Sequence, residues 1–208
     1  MIDNHQSIYR DVAQYYTEKL HAHGETPQGV DWNGSEGQFI RFAQLAQVIT
    51  APAYTINDIG CGYGALYEFL APNPALQQYV GIDISVEMID AGQRRYTHND
   101  RVTFVHGASP VTPATYSVAS GIFNVRLDRS DTEWWQYLTG VLDVMDQYST
   151  HGFAFNCLTS YSDAEKMRDY LYYTDPCRLF DYCKRRYSRN VVLLHDYSLY
   201  EFTMIVRK

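Results

Sequence analysis

Asp58, Gly60, Gly62 and Gly64 alternate along Asp58-Ile59-Gly60-Cys61-Gly62-Tyr63-Gly64, and Asp83 follows farther along the chain. Acids and glycines in this pattern offer little covalent chemistry, but they can hold a small ligand. Glycine tolerates the positive φ of a tight turn and has no Cβ to keep a ligand off the backbone. A carboxylate just before the glycines attracts a cationic amino group and repels a pyrophosphate. A second one at Asp83 can accept both hydroxyls of a ribose. The elements that must position these groups are legible on either side. Tyr54–Ile59 is a short apolar run that predicts a buried parallel strand, and Ala65–Leu70 predicts the opening of a helix. Tyr79-Val80-Gly81-Ile82-Asp83-Ile84 predicts a second strand ending in an acid. Both acids therefore fall at carboxyl ends of strands, where open α/β sheets bind their ligands.

Two cofactors compete for this pattern. Gly60, Gly62 and Ala65 satisfy the dinucleotide fingerprint G-x-G-x-x-A, with Asp83 at the distance of its ribose-binding acid. The acid ahead of the loop, the G-x-G-x-G spacing and the stretch of apparently helical chain before it favour S-adenosylmethionine. On Asp58, Gly60, Gly62 and Gly64, read as D-x-G-x-G-x-G, the sequence resembles the class I S-adenosylmethionine-dependent methyltransferases. The resemblance runs from this loop to the C-terminus. It implies a single α/β domain over 1–208, with a doubly wound, mostly parallel seven-stranded sheet whose last strand is reversed, and an N-terminal helical cover over 1–50. The closing runs Asn190–Tyr197 and Leu199–Val206, separated by a tight turn at Ser198, must pair antiparallel and supply that reversed strand.

The resemblance also implies roles. Cys61 lies within the glycine loop. Ile84 and Met88 would wrap the adenosine, with Ser85 capping the helix that carries Met88. The family usually has an acid after the third strand (here Arg101–His106) to hold the adenine amino group. This chain has Gly107-Ala108-Ser109, so adenine contact falls to backbone and the Ser109 hydroxyl. Gly121 and Phe123, at the exit of the fourth strand, face the cofactor by the switch-point rule. In the cover, a first helix carries Ile8, Val12 and Tyr16 at helical spacing, and a loop with Trp32 and Asn33 follows. A second helix from about Ser35 to Ile49 places Gln38 and Arg41 beside its apolar stripe. Tyr16, Gln38 and Arg41 are the cover's candidate cofactor contacts, Arg41 as a bidentate fork for the methionyl carboxylate.

Acceptor candidates lie downstream. Asn124 and Arg126 follow the fourth strand. Asn156 falls within the apolar run of the fifth strand, where a buried amide needs partners. Tyr161 stands just beyond it. A tyrosine-rich segment, 159–188, predicts a helical lid with Tyr173, Asp175 and Arg178 facing the acceptor. His195, beside an acid, is a candidate base. The chain shows Ser120-Gly121-Ile122-Phe123 where DNA amino-methyltransferases carry Asn/Asp-Pro-Pro-Tyr/Phe. The net charge of −7 also lacks the basic field that nucleic acid demands. The expected partner is thus a small-molecule acceptor, with no nucleic acid, no membrane and no metal. Four cysteines without a C-x-x-C pair, and opening residues Met1–His5 without an apolar leader, lead us to expect a cytoplasmic protein. A cofactor-binding protein without transferase activity is the alternative to an enzyme.

Overall fold

Apolar runs that end in acids become the central strands of the sheet. The computed structural model describes residues 3–32 and 34–208, so Met1, Ile2 and Asn33 lie outside the described residues. In chain order the strands are β1 (Tyr54–Ile59), β2 (Leu76–Asp83), β3 (Val102–His106), β4 (Ala114–Ala119), β5 (Ser149–Thr159), β6 (Tyr173–Thr174), β7 (Asn190–Leu194) and β8 (Glu201–Arg207). The helices are α1 (Asp3–His23), α2 (Ser35–Leu45), α3 (Ala65–Leu70), α4 (Val86–Arg95), α5 (Asp131–Gln147) and α6 (Pro176–Arg186).

The sheet runs β3-β2-β1-β4-β5-β8-β7, with β6 pairing parallel to the end of β5. Strands β1 to β5 are mutually parallel, and β8 is antiparallel to both β5 and β7. The sequence predicts seven strands. The eighth is β6, a two-residue pairing on Leu158 and Thr159 beyond the reach of β4. The link from β7 to β8 is also wider than a tight turn, occupying residues 195–200. The chain reverses its winding between β1 and β4, which opens the crevice characteristic of doubly wound sheets at that point.

Helices cover both faces. Phe42 and Leu45 of α2, Leu66 and Leu70 of α3 and Ile89 of α4 pack with Ile56, Tyr79 and Ile205 on one side. Trp134, Leu138 and Met145 of α5 and Leu179 and Cys183 of α6 pack with Phe153, Phe155 and Met204 on the other. The helix starts follow local chemistry. Ser85 caps α4 by accepting from Met88 N, and Ser130 and Glu133 form a capping box at α5.

One departure from a plain doubly wound fold shapes the site. The connection from β3 to β4 is only residues 107–113, too short to hold the helix that usually joins parallel strands. Helix α1 packs in that vacancy, with Ile8 and Val12 joining Ile82, Val80 and Val105 in the core. The N-terminal cover is therefore partly a structural layer of the sheet, which brings its tyrosines to the crevice.

Candidate functional site

At the carboxyl ends of β1, β2 and β4 a cavity opens whose floor is the glycine loop. Gly60 and Gly62 hold φ values of 73° and 56°, a conformation that side chains other than glycine adopt at a cost. A Cβ on Gly60 would stand 2.1 Å from Ile122 Cγ2, and one on Gly62 would stand 3.1 Å from Val30 Cγ1. The loop thus leaves bare backbone as the cavity floor.

Asp83 organises the adjoining wall. Its Oδ2 accepts the Gly62 N–H and its Oδ1 the Ser85 N–H, each at 2.9 Å. A carboxylate oxygen has two lone pairs, so both oxygens keep capacity to accept ligand hydroxyls. Burial raises the Asp83 pKa, opposed by N–H donation from Ser85, Gly62 and Ile84. Asp58 is more exposed to this conflict. It is buried, accepts the Tyr79 hydroxyl at 2.5 Å and faces the charge of Asp83. Burial lifts its pKa to about 7, with Tyr79 lowering it and Asp83 raising it further. A cation placed beside Asp58 would relieve that cost and keep it ionised.

The remaining walls come from four segments. Ile84, Met88, Gly107 and Ala108 line the side beyond Asp83, and Ser120 and Ile122 line the end of β4. The Ser120 Oγ is buried without a hydrogen-bond partner among the described residues, a polar atom aimed at no protein group. Above lie Tyr9, Val12 and Tyr16 of α1, Val30 and Trp32 of the following turn, Gln38 and Phe42 of α2, and Tyr137 and Val141 of α5. The bare loop, two strand-end acids, an unsatisfied hydroxyl and aromatic walls fit an adenosyl group carrying a cationic amino acid.

Of the expected cofactor contacts, the structure brings Tyr16, Gln38, Asp58, Gly60, Cys61, Gly62, Asp83, Ile84, Met88, Gly107 and Ala108 together around this cavity. Other expected contacts stand elsewhere. Arg41 does not line it: its guanidinium forks onto Glu201, Nε reaching both carboxylate oxygens at 2.9 Å. Gly64 serves packing, since a Cβ there would meet Phe104 at 2.6 Å. Ser109 is exposed off the rim. Gly121 backs Trp32 from behind, and Phe123 is core, its carbonyl accepting the Trp134 indole N–H at 2.8 Å.

The acceptor candidates are dispersed rather than convergent. Asn124 ties the exit of β4 to β5 through its Oδ1, which accepts Leu158 N at 3.1 Å. Arg126 donates to the Asp169 carbonyl and to Asp131. Asn156 is fully buried and bridges Gly121 N and Glu201. Tyr161 and His195 lie side by side on the surface, with ring centroids 6.0 Å apart. The Tyr173 hydroxyl accepts Arg168 N at 3.0 Å, Asp175 caps α6, and Arg178 stacks over Trp135 at 3.8 Å. No residue of the segment 159–188 lines the cavity. Its apolar side chains Leu179 and Cys183 have a stronger claim on the sheet, which makes α6 an ordinary crossover helix. Among the site residues that sequence reasoning missed are Tyr9, Val12, Val30, Trp32, Phe42, Ser120, Ile122, Tyr137 and Val141. Helical spacing marked a buried face in each helix but not the cavity behind it.

The fold order, the reversed β8 and this site define a class I S-adenosylmethionine-dependent methyltransferase. Residues 56–147 match the family described as a methyltransferase domain. A protein of Mycobacterium tuberculosis (strain ATCC 25618 / H37Rv), called "Putative methyltransferase Rv1506c", is 55% identical over 161 residues, spanning 77% of this chain and 97% of that protein. The chain belongs to the methyltransferase family, is an enzyme of that class and uses S-adenosylmethionine as its cofactor. The dinucleotide and non-catalytic alternatives fall with that assignment.

Solved structures share the fold at low identity. DhpI in complex with S-adenosylhomocysteine superposes with a TM-score of 0.64 at 12% identity, covering 96% of each chain. Magnesium protoporphyrin IX methyltransferase from Synechocystis PCC 6803, with bound S-adenosylmethionine, gives 0.55 at 12% identity over 99% of this chain and 80% of that one. The methyltransferase domain of bacterial CtHen1-C gives 0.64 at 11% identity over 82% of this chain and 97% of that one.

Proposed function

We propose that the protein methylates a small-molecule acceptor that enters between α1, the turn at 27–32 and α5. The observation that carries this reading is the cavity lining. Its only charged side chains among the described residues are the acids Asp58 and Asp83, and its outer walls are aromatic and aliphatic. A polyanionic substrate needs phosphate neutralisation, which such a lining opposes. Aromatic walls suit a compact acceptor with a flat or apolar body.

S-adenosylmethionine bound here supplies a methyl carbon made electrophilic by its sulfonium sulfur. In this reading Asp83 accepts the ribose hydroxyls, Asp58 pairs with the amino group, and the backbone of Gly60 and Gly62 lies against the methionyl chain. Ile84, Met88, Gly107 and Ala108 surround the adenosine. Ile122 and Ser120 form the wall where the acceptor approaches, and Tyr9, Tyr16 and Tyr137 orient it and exclude water. Alignment of this kind can supply roughly 7–11 kcal/mol of a barrier without covalent help from the protein. A cytoplasmic setting belongs to the same proposal, in keeping with the free thiols of Cys61, Cys157, Cys177 and Cys183. Among the described residues no helix is long and apolar enough to cross a membrane.

The test is transfer of labelled methyl groups from the cofactor to three pools: a metabolite extract, total RNA and genomic DNA. We expect label in the metabolite fraction alone, reduced by Tyr9→Ala or Tyr137→Ala more than cofactor binding is. Label retained on RNA or DNA, and none on small molecules, would overturn the proposal.

A further inference from the structure

Glu201 is the first residue of β8, and its side chain is only 1% exposed. A carboxylate buried this far costs several kcal/mol unless it is well paired, and here its partners are Arg41 and Asn156. Arg41 donates to it from Nε at 2.9 Å to both oxygens and from Nη2 to Oε1 at 2.6 Å. The Asn156 amide donates to Glu201 Oε2 and accepts the Gly121 N–H at 2.8 Å. The face of the same guanidinium lies 3.9 Å from the centroid of the Trp32 ring. That indole rests on Gly121, where a Cβ would come within 2.4 Å of its ring. The contacts close a circuit from Gly121 through Asn156, Glu201, Arg41 and Trp32 back to Gly121. Within it, Trp32 alone lines the cavity.

We infer that Glu201 is a positioning residue: through Arg41 it holds Trp32 on the Gly121 backbone and so keeps the N-terminal cover closed over the bound cofactor. The chemistry of the fork explains the choice of residues. A bidentate carboxylate fixes the plane of a guanidinium, and a fixed plane leaves its face free to stack on an indole. A lysine at position 41 would present a point charge with no plane to orient. The circuit also ties the end of β4 to the cover, so the wall where methyl transfer occurs and the lid above it share one anchor. The polar ties within the cover and to α4 are more exposed. Lys19 and Tyr15 both bind Asp31 within the cover, and Thr17 shares a hydrogen bond with Ser85. The inference requires cofactor binding but no particular acceptor.

The experiment measures dissociation of S-adenosylhomocysteine by stopped flow, in protein labelled with 5-fluorotryptophan so that the Trp32 resonance is followed by fluorine NMR. Glu201→Gln and Arg41→Lys are each expected to speed release about tenfold, change association less, and shift the Trp32 resonance. Trp32→Ala should release equally fast, and adding Glu201→Gln to Trp32→Ala should speed release no further. That lack of additivity separates positioning from general loosening. Where Glu201→Gln fails to fold, the paired replacement Arg41→Met with Glu201→Met removes both charges together and should show the same fast release. Parental release rates in the folded variants, or a full further acceleration by Glu201→Gln in the Trp32→Ala background, would overturn the inference.

Discussion

The floor of the cavity and its cover are built by different kinds of contact. The floor, from Asp58 to Leu66 with Asp83, is made by residues close in sequence or on adjacent strands, and its bonds are short and buried. The cover draws on α1, the turn at 27–32 and α2, and it is anchored by the Arg41–Glu201 pair across a separation of 160 residues. In the proposed function the floor recognises chemical groups common to every use of the cofactor. In the same reading the cover decides how tightly the cavity closes and what else enters it. Damage to the floor should therefore abolish affinity, whereas damage to the cover should change release rates and acceptor choice.

The strongest way to break that division is at Gly62. A valine there would take a φ near 56° and push its Cβ against Val30, a strain of at least about 1–2 kcal/mol before any ligand is displaced. We expect at least a hundredfold loss of S-adenosylmethionine affinity by calorimetry, with a lowered Tm. Removing a floor acid comes next. Asp83→Ala should weaken cofactor binding by about 1.5–3 kcal/mol, the range for hydrogen bonds to a charged group. Retention of parental affinity would place the ribose elsewhere.

Asp58 gives a pH-dependent test of the floor. Its folded pKa is raised from 3.8 to about 7 by burial. The stability linked to this raised pKa is fully present below the unfolded value and is lost as pH rises through 7. Asp58→Asn should therefore stabilise the ligand-free protein at pH 8, by a few kcal/mol at most and about 1 at least, and do little near pH 4. Binding should run the other way. Cofactor affinity of the parent should fall as pH drops below 7 and Asp58 takes up a proton, and the Asp58→Asn variant should show no such fall. A parent affinity flat from pH 6 to pH 8 would remove Asp58 from the amino-group site.

The smallest effects should come from the tyrosine-rich segment. Asp175 accepts Cys177 N at 2.8 Å and Arg178 N at 3.3 Å as the cap of α6. Asp175→Ala should cost about 1 kcal/mol of stability and leave cofactor affinity unchanged. Arg178→Ala and His195→Ala should leave cofactor affinity unchanged as well. A tenfold loss of cofactor binding in Asp175→Ala or Arg178→Ala would return this segment to the cavity, and the same loss in His195→Ala would return the β7–β8 link to it.

The placement of the glycine loop and both acids was readable from sequence because their geometry is local. A strand end, a turn needing positive φ and an acid at the next strand end impose residue types at fixed spacing, whatever surrounds them. The reversed hairpin was readable for the same reason, since its strands lie too close in sequence to run parallel. Arg41 was misplaced because a guanidinium on a helix face looks alike whether it awaits a ligand or a buried acid. Glu201 declares itself as that acid only once β8 lies beside β5. Asn156 needed partners, as burial demanded, but which partners depended on Gly121 and Glu201 arriving from other strands. The segment 159–188 looks like a lid in sequence because tyrosines suit pockets and core alike, and in the structure its Leu179 and Cys183 pack on the sheet. Sequence by itself determined the cavity's floor, where covalent spacing does the positioning. Only the tertiary structure decided the cover, because the short link from β3 to β4 left a vacancy that α1 filled, bringing Tyr9, Val12 and Tyr16 to the cavity.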